Sequence, residues 1–166
     1  MYIQNAITSE KSEVVIVPMT NLDFKALQKN RNLFNKFSWD DYRGNEVYKL
    51  TLKNDDQILG LMCLLDHKDD TVNAIEIKLL EVSEENIGSK RKFENIGGCL
   101  IAFACRESFK RGHDGVVFLI PKTQLIDHYS SKYGFLHVGL KTIHRPEGFM
   151  TVYGDDSRKL INKYLE

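Results

Sequence analysis

RKFENIGGCLIAFAC, residues 91–105, sets a basic cluster, a glycine pair and an apolar run of helical spacing in that order. A helix that starts directly after a glycine-containing loop leaves its first N–H groups unpaired. Its dipole places roughly half a positive charge at that end. An anion can complete such an end, because glycine admits a phosphate oxygen to the backbone with no Cβ in the way. Lys90, Arg91 and Lys92 add mobile positive charge, and Glu94 in the same loop opposes it. A glycine pair before a helix also serves as a plain turn, so the surrounding sequence has to decide.

Downstream, Ile101, Ala104, Cys105, Ser108 and Phe109 mark one stripe of a helix to about Arg111, and Gly112 follows as a left-handed stop. VVFLI, residues 116–120, is a continuous apolar run, as expected of a strand buried on both faces, and Pro121 ends it. A second helix is predicted over about 123–132, stopping near Gly134, then short strands at 135–140 and 149–153 and a polar helix from about Asp156.

Upstream, residues 13–19 read as a first strand, and Thr20 as the N-cap of a helix carrying Leu22, Phe24 and Leu27. The stretch 32–46 holds Phe34, Phe37, Trp39 and Tyr42 without clear periodicity; these aromatics either cover the core or form a substrate-facing wall. Strands at 47–53, 58–65 and 73–83 follow, separated by turns at 54–56 and 67–70, so they should pair antiparallel.

A chain of 166 residues with three prolines, 42% hydrophobic and 28% charged residues reads as one soluble globular domain, 1–166. Lys+Arg and Asp+Glu balance at 23 each, so the whole-protein field attracts no polyanion and any anion site is local; no nucleic-acid partner is expected. The three cysteines, Cys63, Cys99 and Cys105, sit in apolar surroundings without a C-x-x-C pair, which favours reduced core thiols. The five histidines lack ligand spacing, so no metal is expected. MYIQNAITSEKSE has no apolar stretch after a basic start, and no run reaches the roughly 18 apolar residues of a membrane span. The expectation is a cytoplasmic protein with no membrane partner.

The strand NAIEIKLLEVS, the loop and helix of 91–111, the next strand, and the second helix ending YSSKYGF resemble, in that order, the GNAT acetyltransferase superfamily. The family's acyl-CoA loop reads Arg/Gln-x-x-Gly-x-Gly/Ala. Lys92-Phe93-Glu94-Asn95-Ile96-Gly97 is similar in register, with Lys92 in place of the basic or amide residue and Asn95 in place of the first glycine. Asparagine visits positive φ more easily than other side chains, so the exchange is chemically tolerable. IEIKLLEV likewise resembles the family's preceding strand.

The resemblance implies an α/β fold with a mostly antiparallel mixed sheet flanked by helices, in which the strands at 73–83 and 116–120 run parallel and splay apart. It implies acetyl-CoA as co-substrate, with exposed amides near Leu80, Val82 and Ser83 on the pantetheine. Lys92 and the amides of Asn95, Ile96, Gly97 and Gly98 would hold the diphosphate. Glu76 matches a position where several members carry a glutamate and is the candidate base, with Glu81 as an alternative. Tyr129 is the candidate acid, one residue farther from Gly134-Phe135 than the family's Tyr-x-x-x-Gly-Phe. One residue turns a helix by about 100°, and Leu125, Ile126, Tyr129 and Tyr133 also form a face that would exist for burial alone.

The implied activity is transfer of an acetyl group from acetyl-CoA to an amine, on a small molecule or a protein, by direct attack in a ternary complex, with sheet edges that permit a homodimer. The alternative is a non-catalytic acyl-CoA-binding sensor or interaction module of the same fold. An unrelated nucleotide-binding α/β domain lacks support: there is no G-K-[ST] sequence, and strands 47–83 pair as a meander.

Overall fold

Alternating apolar and polar residues fold into nine strands, seen in a computed structural model that describes residues 1–69 and 71–166. They are β1 (Tyr2–Asn5), β2 (Lys11–Pro18), β3 (Glu46–Leu52), β4 (Ile58–Lys68), β5 (Asn73–Val82), β6 (Phe93–Glu94), β7 (Val117–Leu119), β8 (Leu136–Val138) and β9 (Phe149–Val152). One sheet takes them in the order β6-β1-β2-β3-β4-β5-β7-β9-β8. Every neighbouring pair is antiparallel except β5 and β7, which run parallel. Four helices flank the sheet: α1 (Asn21–Lys29), α2 (Ile96–Lys110), α3 (Ile126–Tyr133) and α4 (Gly154–Tyr164).

The sheet carries a core on each face. On one, Met62, Leu64, Ile75 and Ile77 meet Leu100, Ile101 and Ala104 of α2, and α4 packs on α2 through Leu160 and Tyr164. On the other, Leu61 and Cys63 of β4 lie under Phe24 of α1 and under Phe34 and Trp39. Each fully buried Leu or Ile contributes about 2 kcal/mol on removal from water. Thr20 closes α1 with a capping box, donating and accepting through Asp23 as its sequence position suggests.

A bulge between Cys63 and Leu64 sets Cys63 opposite Leu79 and Leu64 opposite Ile77, so Lys78 of β5 has no partner of its own. The extra residue keeps Leu80 and Val82 on the α2 face with Ile75 and Ile77, and puts Glu76, Leu79 and Glu81 on the other.

Three local differences from the sequence reading stand out. β1 and β6 were not expected, and they pair with each other at one sheet edge. His67 and Lys68, read as part of a turn, close β4 instead, while Asp70 of that turn lies outside the described residues. The second helix starts as a 3-10 turn (Thr123–Leu125) before α3.

Candidate functional site

β5 and β7 share only two register pairs, Ile75 with Val117 and Glu76 with Phe118. Beyond Glu76 the two strands part. Ser83 N–H donates to Leu59 O on the β4 side, at 2.9 Å. Backbone alternation therefore turns the amides of Val82 and Leu80 to the opposite edge, into the gap that β7 leaves. A cavity of about 310 Å³ fills this gap, lined by Leu80, Val82, Leu119, Pro121, Phe37 and Tyr129 among others. A second, of about 450 Å³, continues from Leu80 and Val82 to Asn95, Ile96 and Gly97 at the start of α2. Leu80, Val82, His128 and Tyr129 line both, so the two form one groove.

The α2 end of that groove is built from backbone. Asn95 adopts φ 74, the left-handed conformation expected of it, and no side chain caps the helix. The first bond across the cap is Cys99 N–H to Asn95 O, at 2.9 Å, and among the described residues the amides of Ile96, Gly97 and Gly98 have no partner in the chain. These are bare donors at the positive end of a 15-residue helix. A Cβ on Gly97 would stand 3.2 Å from the Tyr133 hydroxyl, in the groove. One on Gly98 would stand 2.4 Å from the Tyr164 ring, so that glycine serves the packing of α4.

The loop leading to α2 is tied down by side chains. Asn86 Nδ2 donates to the buried Ser83 Oγ at 2.8 Å, and Asn86 Oδ1 accepts from Phe93 N–H at 2.9 Å. Arg91 lines the groove with Lys132, but its guanidinium is held by Glu94, through Nε at 3.0 Å and through a second, shorter contact.

On the opposite face of the sheet, at the last pair before the fork, Glu76 is buried and its Oε2 lies 2.8 Å from His67 Nε2. Lys78 Nζ is 4.0 Å from Glu76 Oε1. The His67 ring packs on Phe118 at 5.4 Å between centroids, and Phe118 on Phe149 at 6.3 Å. Glu81, also on this face, accepts from Trp39 Nε1 at 2.6 Å and from Lys36 N–H at 2.9 Å, so both its oxygens are engaged.

No sequence-family model matches the chain, and no curated protein does. Solved structures do. AtaTR bound with acetyl-CoA superposes with a TM-score of 0.60 at 16% identity, over 89% of this chain and 98% of that one. A protein described as an acetyltransferase of the GNAT family from Desulfovibrio desulfuricans gives 0.62 at 12% identity, over 85% and 99%. The Bacillus subtilis N-acetyltransferase YlbP in complex with coenzyme A gives 0.57 at 15%, over 87% and 97%. This chain has the GNAT fold. AtaT has also been solved complexed with acetyl-methionyl-tRNAfMet, so the likeness lends no support to the expectation that nucleic acid takes no part.

Set on the GNAT fold, the sequence-predicted residues separate. Leu80, Val82, Asn95, Ile96 and Gly97 come together along one groove, and Tyr129 lines it from α3. Ser83 does not offer a free amide, since Leu59 O takes it. Lys92 turns away: its Nζ pairs with Glu85 at 2.6 Å and its carbonyl accepts from Ala6 N–H, so Arg91 and Lys132 are the Lys and Arg side chains at the α2 end of the groove. Gly98 is committed to Tyr164. Burial pushes the Tyr129 phenol above its ordinary value and keeps it protonated at neutral pH. Burial, with Lys132 nearby, lowers His128, which therefore stays neutral there. Cys99 is buried and its thiol pushed up to about 12, which removes it as a nucleophile.

The sequence reading missed His67. Its signal was available: β4 continues its two-residue alternation past Leu65, and the antiparallel register sets Leu65 opposite Glu76, which makes His67 a diagonal neighbour. Among the described residues no group of three or more His, Cys, Asp or Glu side chains could hold a metal ion, and no helix is long and apolar enough to cross a membrane.

Proposed function

We propose that the chain transfers an acetyl group from acetyl-CoA to an amine by direct attack in a ternary complex. The observation that carries this reading is the fork of β5 and β7, which opens a groove continuous with the bare amide end of α2. The residues fit the co-substrate. The amides of Ile96 and Gly97, flanked by Arg91 and Lys132, suit a diphosphate, and the free N–H groups of Leu80 and Val82 suit the pantetheine arm. The reading takes residues 1–166 as one domain and leaves the acceptor a small-molecule or protein amine.

Acetyl-CoA supplies an activated acyl group. The chain supplies donors, orientation and a route for two protons. Strand amides aimed into the gap stabilise the oxyanion that forms only as the amine attacks. As the C–N bond forms and the C–S bond breaks, Glu76 takes the proton of the amine and Tyr129 gives one to the leaving thiolate. His67, with a third of its side chain exposed against a tenth for Glu76, passes the first proton on to water.

A non-catalytic acyl-CoA-binding module is the second reading, favoured by the hold of Glu94 on Arg91 and by the one-residue offset of Tyr129. Thermal unfolding with CoA, acetyl-CoA and ATP tests the common part: CoA at a hundred times its dissociation constant adds roughly 2.7 kcal/mol to the folded state. Stabilisation by ATP but not CoA would reject both readings. Glu76→Gln and Tyr129→Phe separate them. For an enzyme, each lowers kcat for CoA release by on the order of a hundredfold while CoA still stabilises the variant. Turnover unchanged in both variants assigns these residues no chemistry.

A further inference from the structure

The cavity at the fork has a charge pattern that the transfer reaction itself does not require. Lys36, Lys78 and Lys122 line it, from the segment after α1, from the bulge of β5 and from the turn after β7. One carboxylate, Glu81, lines it with them, and both its oxygens are engaged by Trp39 and the Lys36 amide. Lys122 Nζ stands over the Phe37 ring at 5.3 Å. Immediately beside this cationic rim lies Glu76, with Phe118 and Phe149 on the same face and Lys78 Nζ at 4.0 Å.

A carboxylate against aromatic rings suits an ammonium or amine. Lysines around the same cavity, Lys78 within 4.0 Å of Glu76 and Lys36 and Lys122 on the rim, suit an anion, and they repel a second positive charge. A polyamine, or a lysine-rich peptide, would meet two carboxylates, Glu76 and the internally bonded Glu81, against three lysines. Building on the acetyltransferase reading, the geometry points to an acceptor that is a small zwitterion: an amine carried within a few bonds of a phosphate or carboxylate. The amine lies at Glu76 and the anion at Lys78 and Lys122. The same lysines favour the neutral form of the bound amine, which is the form that attacks.

The test is equilibrium binding to the CoA-saturated protein, where the diphosphate site is already filled and no turnover occurs. The probes are O-phosphoethanolamine, ethanolamine, ethyl phosphate, β-alanine and spermidine. O-phosphoethanolamine or β-alanine should bind tighter than ethanolamine by on the order of tenfold, with spermidine weakest. Which of the two zwitterions wins distinguishes phosphate from carboxylate. In the Lys78→Gln/Lys122→Gln variant the zwitterion should fall to the level of ethanolamine; in Glu76→Gln it should fall to the level of ethyl phosphate. Both lysines are exposed, and CoA-induced stabilisation of the double variant checks that its fold is intact. Equal binding of ethanolamine and both zwitterions, tightest binding by spermidine, or a zwitterion advantage that survives the double variant overturns the inference alone. Failure of CoA itself to bind overturns it together with the transferase reading.

Discussion

At its C-terminal end α2 runs into Arg111, whose guanidinium pairs with Glu46, with Asp66 at 3.3 Å and with Glu107 at 3.3 Å. At its N-terminal end the amides of Ile96, Gly97 and Gly98 have no partner among the described residues, and Ile96 and Gly97 line a groove. The sealed end continues inward: His113, buried, has Nε2 at 2.7 Å from Asp66 and Nδ1 facing Asn73 Oδ1. One helix thus keeps its ionic contacts at one end, where they hold β3 and β4 to the helix, and leaves backbone donors free at the other. The difference teaches that stability and ligand binding are separated along a single element, and substitutions at each end should move different observables.

Arg111→Ala is the largest such substitution. It leaves Glu46, Asp66 and Glu107 facing one another without their common cation, and the loss of the charge-assisted hydrogen bonds to all three costs about 3 kcal/mol in sum, read as a lower Tm. CoA affinity stays as in the parent. Weaker CoA binding at unchanged Tm would break the comparison. Gly98→Ala comes next, since its Cβ would sit 2.4 Å from the Tyr164 ring and force α4 outward; overpacking of this kind costs about 2 kcal/mol. Gly97→Ala, one residue earlier, sharpens the contrast. Its Cβ meets the Tyr133 hydroxyl at 3.2 Å and Val82 Cγ2 at an ordinary 3.9 Å, so stability changes by less than about 1 kcal/mol while the methyl intrudes on the groove. CoA binding should weaken by about tenfold, measured by titration calorimetry. If the two glycine variants lose CoA affinity equally, the division of labour between them is wrong.

How far the sequence discloses this arrangement follows from the range of the forces involved. β5, α2 and β7 are legible because their apolar residues repeat with local periods, and Asn95 because a single backbone angle governs it. β1 is not, since Ile3 is its one buried residue and four residues give no alternation to read. The choice of Arg91 over Lys92 is illegible for a different reason: it depends on β6 pairing with β1 and on Glu85 reaching Lys92, both non-local. The lysines of the fork lie at 36, 78 and 122, and only the parting of two strands brings them to one cavity. Likewise Ser83 loses its amide to β4, a fact of register that no motif encodes.

The smallest effect tests whether the sealed end is electrostatic. Hydrogen bonds from Arg111 hold the Glu46 carboxyl below its ordinary value, outweighing the burial that pushes it up. For Asp66 burial pushes upward too, and hydrogen bonds from His113 and Arg111, with Lys68 nearby, bring it below the usual range. Tyr48, beside Glu46, is pushed up to about 12 by burial and stays a neutral donor throughout. Both carboxyls therefore bind protons less readily folded than unfolded. Their contribution is complete above the ordinary carboxylate range, near pH 4, and fades as pH falls through their depressed values. Glu46 is 35% exposed, so solvent screening keeps the contribution below about 1 kcal/mol. Denaturant midpoints taken between about pH 6 and about pH 3 should fall more steeply for the parent than for Arg111→Ala, in which the three carboxylates repel and gain from protonation. Parallel acid limbs for the two proteins would mean that Arg111 holds its end of α2 by packing alone, and the contrast with the open end would then be one of shape, not of charge.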